Sequence, residues 1–213
     1  MCVKGGGVRV LLLCGDTSAK GRIGYPDKQV SNAAKMLFGD CGTATLLSIS
    51  EKPQDMRVIT HTRGKGYKTI ISPYMGFRHP IPVNDGGGED RMNDIDVFNF
   101  STEEAPKTIK DMMKWSGTSP EVYDSLVLHQ ANLMIMKRIT KLSGFKEEQM
   151  LVSIDEFGNT SSASIPVSLV KTYGKTDEHK KLRCMLCGYG VGLSWSTVDC
   201  FINTDDILPL IHT

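Results

Sequence analysis

The sequence predicts an α/β layered domain built on a mixed sheet. Three observations carry this. Short apolar runs at 8–14, which is β-branched, and at 125–128 and 182–187 read as buried strands. Between them lie stretches with apolar residues at helical spacing, as at Ile109, Met112 and Met113 and again over 133–142. The two kinds of segment alternate along the chain, an order that stacks helices against a sheet.

Taken in order, residues 8–14 form a strand ended by Gly15-Asp16, and the polar, Gly- and Pro-containing residues 17–35 form a loop. Met36-Leu37-Phe38 leads into Gly39-Asp40-Cys41-Gly42, residues 43–49 make a second strand, and Pro53 closes that unit. Residues 57–71 alternate around Gly64 and Gly66, the pattern of a hairpin. Residues 72–91, with three prolines and Gly86-Gly87-Gly88, read as a long surface excursion. Ser101-Thr102-Glu103-Glu104 has the form of a capping box, so a helix is expected to begin at Ser101, with Ile109, Met112, Met113 and Trp115 on its core face. Pro120 to Asp124 opens a turn or short helix. Residues 125–128 are a strand, and residues 133–142 a helix ended by Ser143-Gly144. Residues 151–154 read as a strand, Phe157-Gly158-Asn159-Thr160 as a turn and 161–172 as a helix. Residues 182–187 and 195–202 read as strands around Gly188-Tyr189-Gly190-Val191-Gly192.

A chain of 213 residues suits one domain, or one and a fraction. The net charge of +1 makes no electrostatic case for nucleic acid or an anionic membrane. No apolar run reaches transmembrane length, and Met1-Cys2-Val3-Lys4 followed by three glycines does not read as a signal peptide, so a cytoplasmic location is expected. The six scattered cysteines do not suggest a disulfide framework. Cys184 and Cys187 form a CxxC, but a redox pair needs a helix N-terminus and zinc needs a second ligand pair. In a strand, positions three apart face opposite ways, so two buried, inert thiols and no metal are expected.

The chemically informative residues stand where strands give way to loops or helices, the edge that active sites of α/β sheets favour. His129 directly follows the strand 125–128; alone, it could be a structural histidine satisfied by backbone. Asn159 alone could be a turn residue tolerating positive φ, and Gly190 and Gly192 turn glycines. In combination they are more specific. His129-Gln130-Ala131-Asn132, Gly158-Asn159-Thr160-Ser161-Ser162-Ala163-Ser164-Ile165-Pro166 and Gly188-Tyr189-Gly190-Val191-Gly192-Leu193-Ser194-Trp195 resemble the three C-terminal motifs of the β-ketoacyl-acyl-carrier-protein (ACP) synthase III family. Leu37-Phe38-Gly39-Asp40-Cys41-Gly42-Thr43-Ala44 is similar to an earlier motif of that family.

The resemblance implies a thiolase-like fold. Residues 53–213 would be its C-terminal half, a mixed five-stranded sheet with helices on both faces, and residues 1–52 the last strands of the N-terminal half. It also implies a reaction: an acyl group passes from coenzyme A to a cysteine, malonyl-ACP is decarboxylated, and the enolate attacks the acyl-enzyme. His129 and Asn159 would donate to the thioester oxygen that gains charge during decarboxylation. The backbone N–H of Val191 would serve the other oxyanion hole, and Phe98 and Asn132 would line the substrate channel. Lys137, Arg138 and Lys141 would meet the acidic ACP and the coenzyme A phosphates, unless they are simply a solvated helix face. No cofactor is implied beyond the coenzyme A and ACP thioesters, which are substrates.

The match departs from the family at three places. The family's nucleophilic cysteine begins a helix ahead of the strand 8–14, and neither Cys2, Cys14 nor Cys41 has that context. The chain alone is therefore expected to form no acyl-enzyme. Strands 8–14 and 43–49 are expected to lack sheet neighbours and to be covered by a homo-oligomeric partner or a missing N-terminal half. A non-catalytic remnant or partner subunit that binds acyl thioesters is the alternative. Met134 replaces a basic residue often found after the histidine motif, and Asp94 stands where a channel-bordering glycine is usual.

Overall fold

A computed structural model describes residues 9–16, 37–49, 55–71 and 91–212. The predicted excursion over 72–91 lies outside the described residues except for its last position. β1 (Arg9–Asp16) and β2 (Cys41–Ser48) pair antiparallel, with Arg9 opposite Ser48 and Asp16 opposite Cys41. Their leucines stay open: Leu11, Leu13 and Leu46 are each more than half exposed. A two-stranded ribbon has no layer of its own to bury them against.

The main sheet has the order β3-β8-β7-β6, built from β3 (Arg57–Thr62), β6 (Ser125–Leu128), β7 (Lys181–Gly190) and β8 (Ser194–Asn203). β7 and β8 are antiparallel, β3 joins β8 antiparallel and β6 joins β7 parallel, which makes the sheet mixed, as predicted. Every residue of β6 is buried, as a strand covered on both faces requires. Among the described residues, the other edge of β6 carries an isolated parallel bridge, Leu126 with Met150, where a fifth strand was expected over 151–154. The reason is local. The amides of Ser153 and Ile154 are drawn to the Gln130 side chain at 2.9 and 3.2 Å, and the chain turns into the short helix α3 (Ile154–Phe157). The predicted hairpin over 57–71 is also absent. β3 pairs with β8 instead, a 3-10 turn occupies Gly64–Gly66, and β4 (Ile70–Ile71) pairs with β5 (Arg91–Met92).

Helix α1 spans Asp94–Ser116 and starts seven residues before Ser101. Asn93 is the true cap, its side-chain oxygen accepting from the Asp96 amide at 3.1 Å. Ser101 instead lies inside the helix, where its hydroxyl donates to the Val97 carbonyl at 2.7 Å. Gly117, at φ 66°, ends the helix in the left-handed region. Ile109 and Met112 are fully buried, but Trp115 is solvent-exposed rather than part of the core face. The Trp195 indole donates to the Thr108 hydroxyl at 2.9 Å and ties α1 to the sheet.

α2 (Leu133–Ser143) ends at Gly144 as predicted. α4 (Ser164–Tyr173) follows a 3-10 turn over Ser161–Ala163, and Pro166 falls in its first turn, where its missing N–H costs nothing. The sheet separates two apolar clusters. Phe100, Ile109, Met136, Met185 and Cys187 belong to the larger, and Leu182, Cys184 and Cys200 to the smaller. Strand alternation thus puts the two cysteines of the CxxC on opposite faces. Burial pushes both thiols up to about 12. Among the described residues no helix is long and apolar enough to cross a membrane.

Candidate active site

His129 stands one residue past β6. Its amide donates to the Cys187 carbonyl at 2.9 Å, which carries the parallel ladder just beyond the strand and fixes the backbone. The Tyr189 hydroxyl donates to the His129 carbonyl at 3.2 Å, and the two rings meet edge to face with centroids 5.4 Å apart. On the imidazole, Nδ1 lies 2.8 Å from the Ser164 hydroxyl. His129 as a residue is half-buried. Burial lowers its pKa from 6.5 to about 4, against a smaller opposing effect from the Ser161 backbone. At neutral pH the ring is therefore uncharged and carries a single N–H.

Asn159 is buried in the turn between α3 and the 161–163 turn. Its Oδ1 accepts from the Ser161 amide at 2.9 Å, which orients the carboxamide and leaves Nδ2 as its donor end. Its backbone forms a parallel bridge with Phe38: the Asn159 amide donates to the Leu37 carbonyl at 2.8 Å, and the Gly39 amide donates to the Asn159 carbonyl at 3.1 Å. This contact explains the glycine in the early motif. A Cβ at residue 39 would lie 1.8 Å from the Phe157 carbonyl oxygen, so only glycine lets the two backbones approach. Gly39→Ala is expected to destabilise the chain by about 1–3 kcal/mol through this overlap. Urea denaturation of the two proteins measures it.

The two side chains are connected through one turn. His129 Nδ1 reaches Ser164, the Ser164 hydroxyl is 2.8 Å from the Ser161 carbonyl, and the Ser161 amide holds Asn159. Gln130 supplies a second link. Its Nε2 donates to the Leu128 and Leu151 carbonyls at 2.8 and 3.2 Å, while its Oε1 takes the Ser153 and Ile154 amides. This fully buried carboxamide stitches the end of β6, which carries His129, to the segment that leads into Asn159.

The remaining sequence candidates are placed less uniformly. Val191 lies in the β7–β8 turn with its side chain exposed, two residues from Tyr189, and Gly192 beside it has φ 137°. Phe98 is partly buried in α1 and packs against the larger core cluster. Asn132 is exposed and serves as the cap of α2, its oxygen accepting from the Met134 amide at 2.8 Å. Lys137 forms an ion pair with Glu147 at 3.0 Å, so it is not a free cation on that face. Arg138 and Lys141 are exposed, and no ion pair involves either among the described residues. Asp94 is the first residue of α1, where a carboxylate suits the positive end of the helix.

Sequence reasoning did not single out Gln130, Ser164 or Tyr189. All three lie inside the recognised motifs, and a polar residue next to a candidate donor is the signal that could have found them.

The depressed histidine pKa has a measurable consequence. Above pH 6.5 both the folded and the unfolded chain hold this ring neutral. As pH falls toward 4, only the unfolded chain takes up the proton, so stability is lost. The His129 contribution between pH 7.5 and 4.5 is roughly 2–3 kcal/mol. Urea denaturation at both pH values should show a fall in stability that is smaller by that amount in His129→Gln.

The family model for the 3-oxoacyl-ACP synthase III C terminus matches residues 113–199. The β-ketoacyl-ACP synthase III of Streptococcus equi subsp. zooepidemicus is 30% identical over 166 residues, covering 76% of this chain and 51% of that protein. That of Clostridium perfringens is 25% identical over 197 residues, covering 91% and 59%. A crystal structure of a 3-oxoacyl-ACP synthase from Burkholderia xenovorans LB400 superposes with a TM-score of 0.84 at 31% identity, covering 96% of this chain and 59% of that one. The chain thus spans about half the length of the curated relatives it matches.

Proposed function

Because the chain is a β-ketoacyl-ACP synthase III-like protein with the thiolase-like fold, we propose that it supplies the enolate-stabilising side of a decarboxylative Claisen condensation. The substrates would be an acyl-CoA and malonyl-ACP, and the pathway fatty-acid or related acyl-chain synthesis. Residues 53–213 then form the C-terminal thiolase-like half and residues 1–52 the end of the other half. The observation that carries this is the neutral His129 ring joined to the Asn159 carboxamide through the turn at 161–164.

Loss of CO2 from a malonyl thioester leaves negative charge on the thioester oxygen. Two N–H donors fixed before the reaction stabilise that charge without reorganising. Asn159 Nδ2 is one donor, and His129 Nε2–H is the other. An imidazolium would also attract the substrate carboxylate in the ground state, whereas a neutral ring favours the transition state. The Val191 N–H serves the acyl-transfer oxyanion, Phe98 lines the channel, and Arg138 and Lys141 meet acidic groups of the carrier.

The nucleophilic thiol has no candidate among the described cysteines of the sheet. Burial holds Cys184 and Cys187 at about 12 and Cys200 at about 11, far from a thiolate at neutral pH. Burial also raises Cys41. A cysteine-bearing half, from another chain or a longer form of this one, would provide it. The exposed leucines of β1 and β2 favour such a partner, and also favour a second reading: a subunit that binds acyl thioesters without turning them over.

Mass spectrometry after incubation with acyl-CoA tests the division of labour. The expected result is no acyl adduct on this chain, with condensation appearing when a cysteine-bearing N-terminal half of the family is added. Thioester binding without turnover in that mixture supports the second reading. An acyl adduct on Cys184, Cys187 or Cys200 contradicts both.

A further inference from the structure

Residues 63–69 join two parts of the candidate site. The β3–β8 ladder runs as far as Thr62 opposite Ser194, and Arg63 and Leu193 add one more pair. The Arg63 amide donates to the Leu193 carbonyl at 2.7 Å, and the Leu193 amide donates to the Arg63 carbonyl at 3.2 Å. Leu193 is thus pinned two residues after Val191. The chain then turns through Gly64–Gly66 across the Leu193 side chain, which is buried in the larger core cluster. At the far end, the Thr69 carbonyl accepts from the amide of Asn93, the cap of α1, at 2.9 Å. Arg63 makes a second tie to α1: its Nη1 lies 3.1 Å from Glu104 Oε1, and its guanidinium lies 5.5 Å from the centre of the Phe100 ring.

The contact with Leu193 depends on residue 66 having no side chain. A Cβ there would lie 2.8 Å from Leu193 Cδ1 and 2.9 Å from Cγ. Leu193 is 2% exposed, and its packed neighbours resist its withdrawal. Val191, by contrast, is 67% exposed, so its own side chain does little to hold the turn. The pairing of Leu193 with Arg63 holds it instead. A displacement at Leu193 therefore moves the turn that carries the Val191 N–H.

We propose that residues 63–69 are a strap that sets the position of the Val191 N–H, with Gly66 as the positioning residue at its contact with Leu193. This rests on the reading that Val191 serves the acyl-transfer oxyanion, which gives the strap its purpose. The strap also runs to α1, which carries Phe98, so one segment holds both the donor turn and the helix of the channel residue. His129 and Asn159 are held separately, by Gln130 and by the turn at 161–164. Disturbing the strap should therefore affect one half-reaction and spare the other.

The first test uses the chain alone, labelled with 15N-valine and 15N-leucine. The Val191 amide is assigned by the signal missing from Val191→Ile. Gly66→Ala should shift that signal, and hydrogen exchange at the Leu193 amide should quicken by about 10-fold or more as its bond to Arg63 weakens. Arg63→Met cuts the tie to Glu104 and adds no atom at residue 66. It should shift the same signal by less, and it is the variant to rely on if Gly66→Ala folds poorly. The second test adds a cysteine-bearing N-terminal half. Gly66→Ala should slow acyl transfer from acyl-CoA to that cysteine by roughly 10- to 100-fold and leave decarboxylation of the malonyl thioester unchanged. Adding Leu193→Ala removes both clashing atoms and leaves Cβ at 3.8 Å, which should return the ratio of the two rates toward wild type. Loss of packing alone would slow both half-reactions by the same factor. That result overturns the proposal, as does a Val191 signal unchanged in both variants. A shifted Val191 with normal acyl transfer would count against the Val191 role and leave the strap standing.

Discussion

His129→Ala is expected to slow malonyl-thioester decarboxylation by roughly 100- to 1000-fold, and Asn159→Ala by a similar factor. The assay is CO2 release by this chain combined with a cysteine-bearing N-terminal half. Each substitution removes one of two donors that act on a single oxygen, a loss of roughly 2.7–4 kcal/mol in the barrier. Because the pair grips one atom, the double variant should be little slower than either single one. The loss should fall on kcat, with KM changing less, since the interaction grows as charge builds on the oxygen. Two losses that multiply would mean that the residues act independently rather than as a pair on one oxygen.

Gln130→Leu is expected to be the most destabilising of these substitutions, at about 4–6 kcal/mol. The side chain is fully buried and makes four hydrogen bonds, all to backbone groups. Leucine fills a similar volume but leaves two carbonyls and two amides without those partners, and an unsatisfied buried group costs about 1–3 kcal/mol. For a chain of this size the melting temperature should fall by about 8–24 °C. Gln130→Glu separates the two halves of the effect: a carboxylate still accepts from the Ser153 and Ile154 amides but cannot donate to Leu128 and Leu151. It should lie between wild type and Gln130→Leu. A Gln130→Leu protein as stable as wild type would show that the clamp is dispensable.

The sheet was legible in the sequence because its strands combine apolar runs with clear turn residues. The strands β6, β7 and β8 follow from patterns local to each segment. The errors came where a distant group outweighed a local one. Residues 151–154 have the composition of a strand, but the Gln130 carboxamide, more than twenty residues away, takes the amides a strand would need. Ser101 has the capping-box pattern, yet Asn93 caps first and the helix continues through it. Residues 57–71 alternate like a hairpin, but the partner of β3 is β8, about 140 residues later in the chain. The candidate site was legible as a set of residues, because His129, Asn159 and the turn containing Val191 carry recognisable motifs. How they are joined was not. Ser164 and Gln130 look like ordinary polar residues until the fold brings them beside His129 and the Asn159 segment. Gly39 looks like a turn glycine until its absent side chain is seen to admit the Phe157 carbonyl.

The central claim is that His129 and Asn159 converge on one thioester oxygen. A crystal structure of the chain with a stable amide analogue of malonyl-CoA measures this directly. The carbonyl oxygen of the analogue should lie within about 2.7–3.2 Å of both His129 Nε2 and Asn159 Nδ2. An oxygen that reaches only one of them, or a ligand bound while the two side chains face separate cavities, would contradict it.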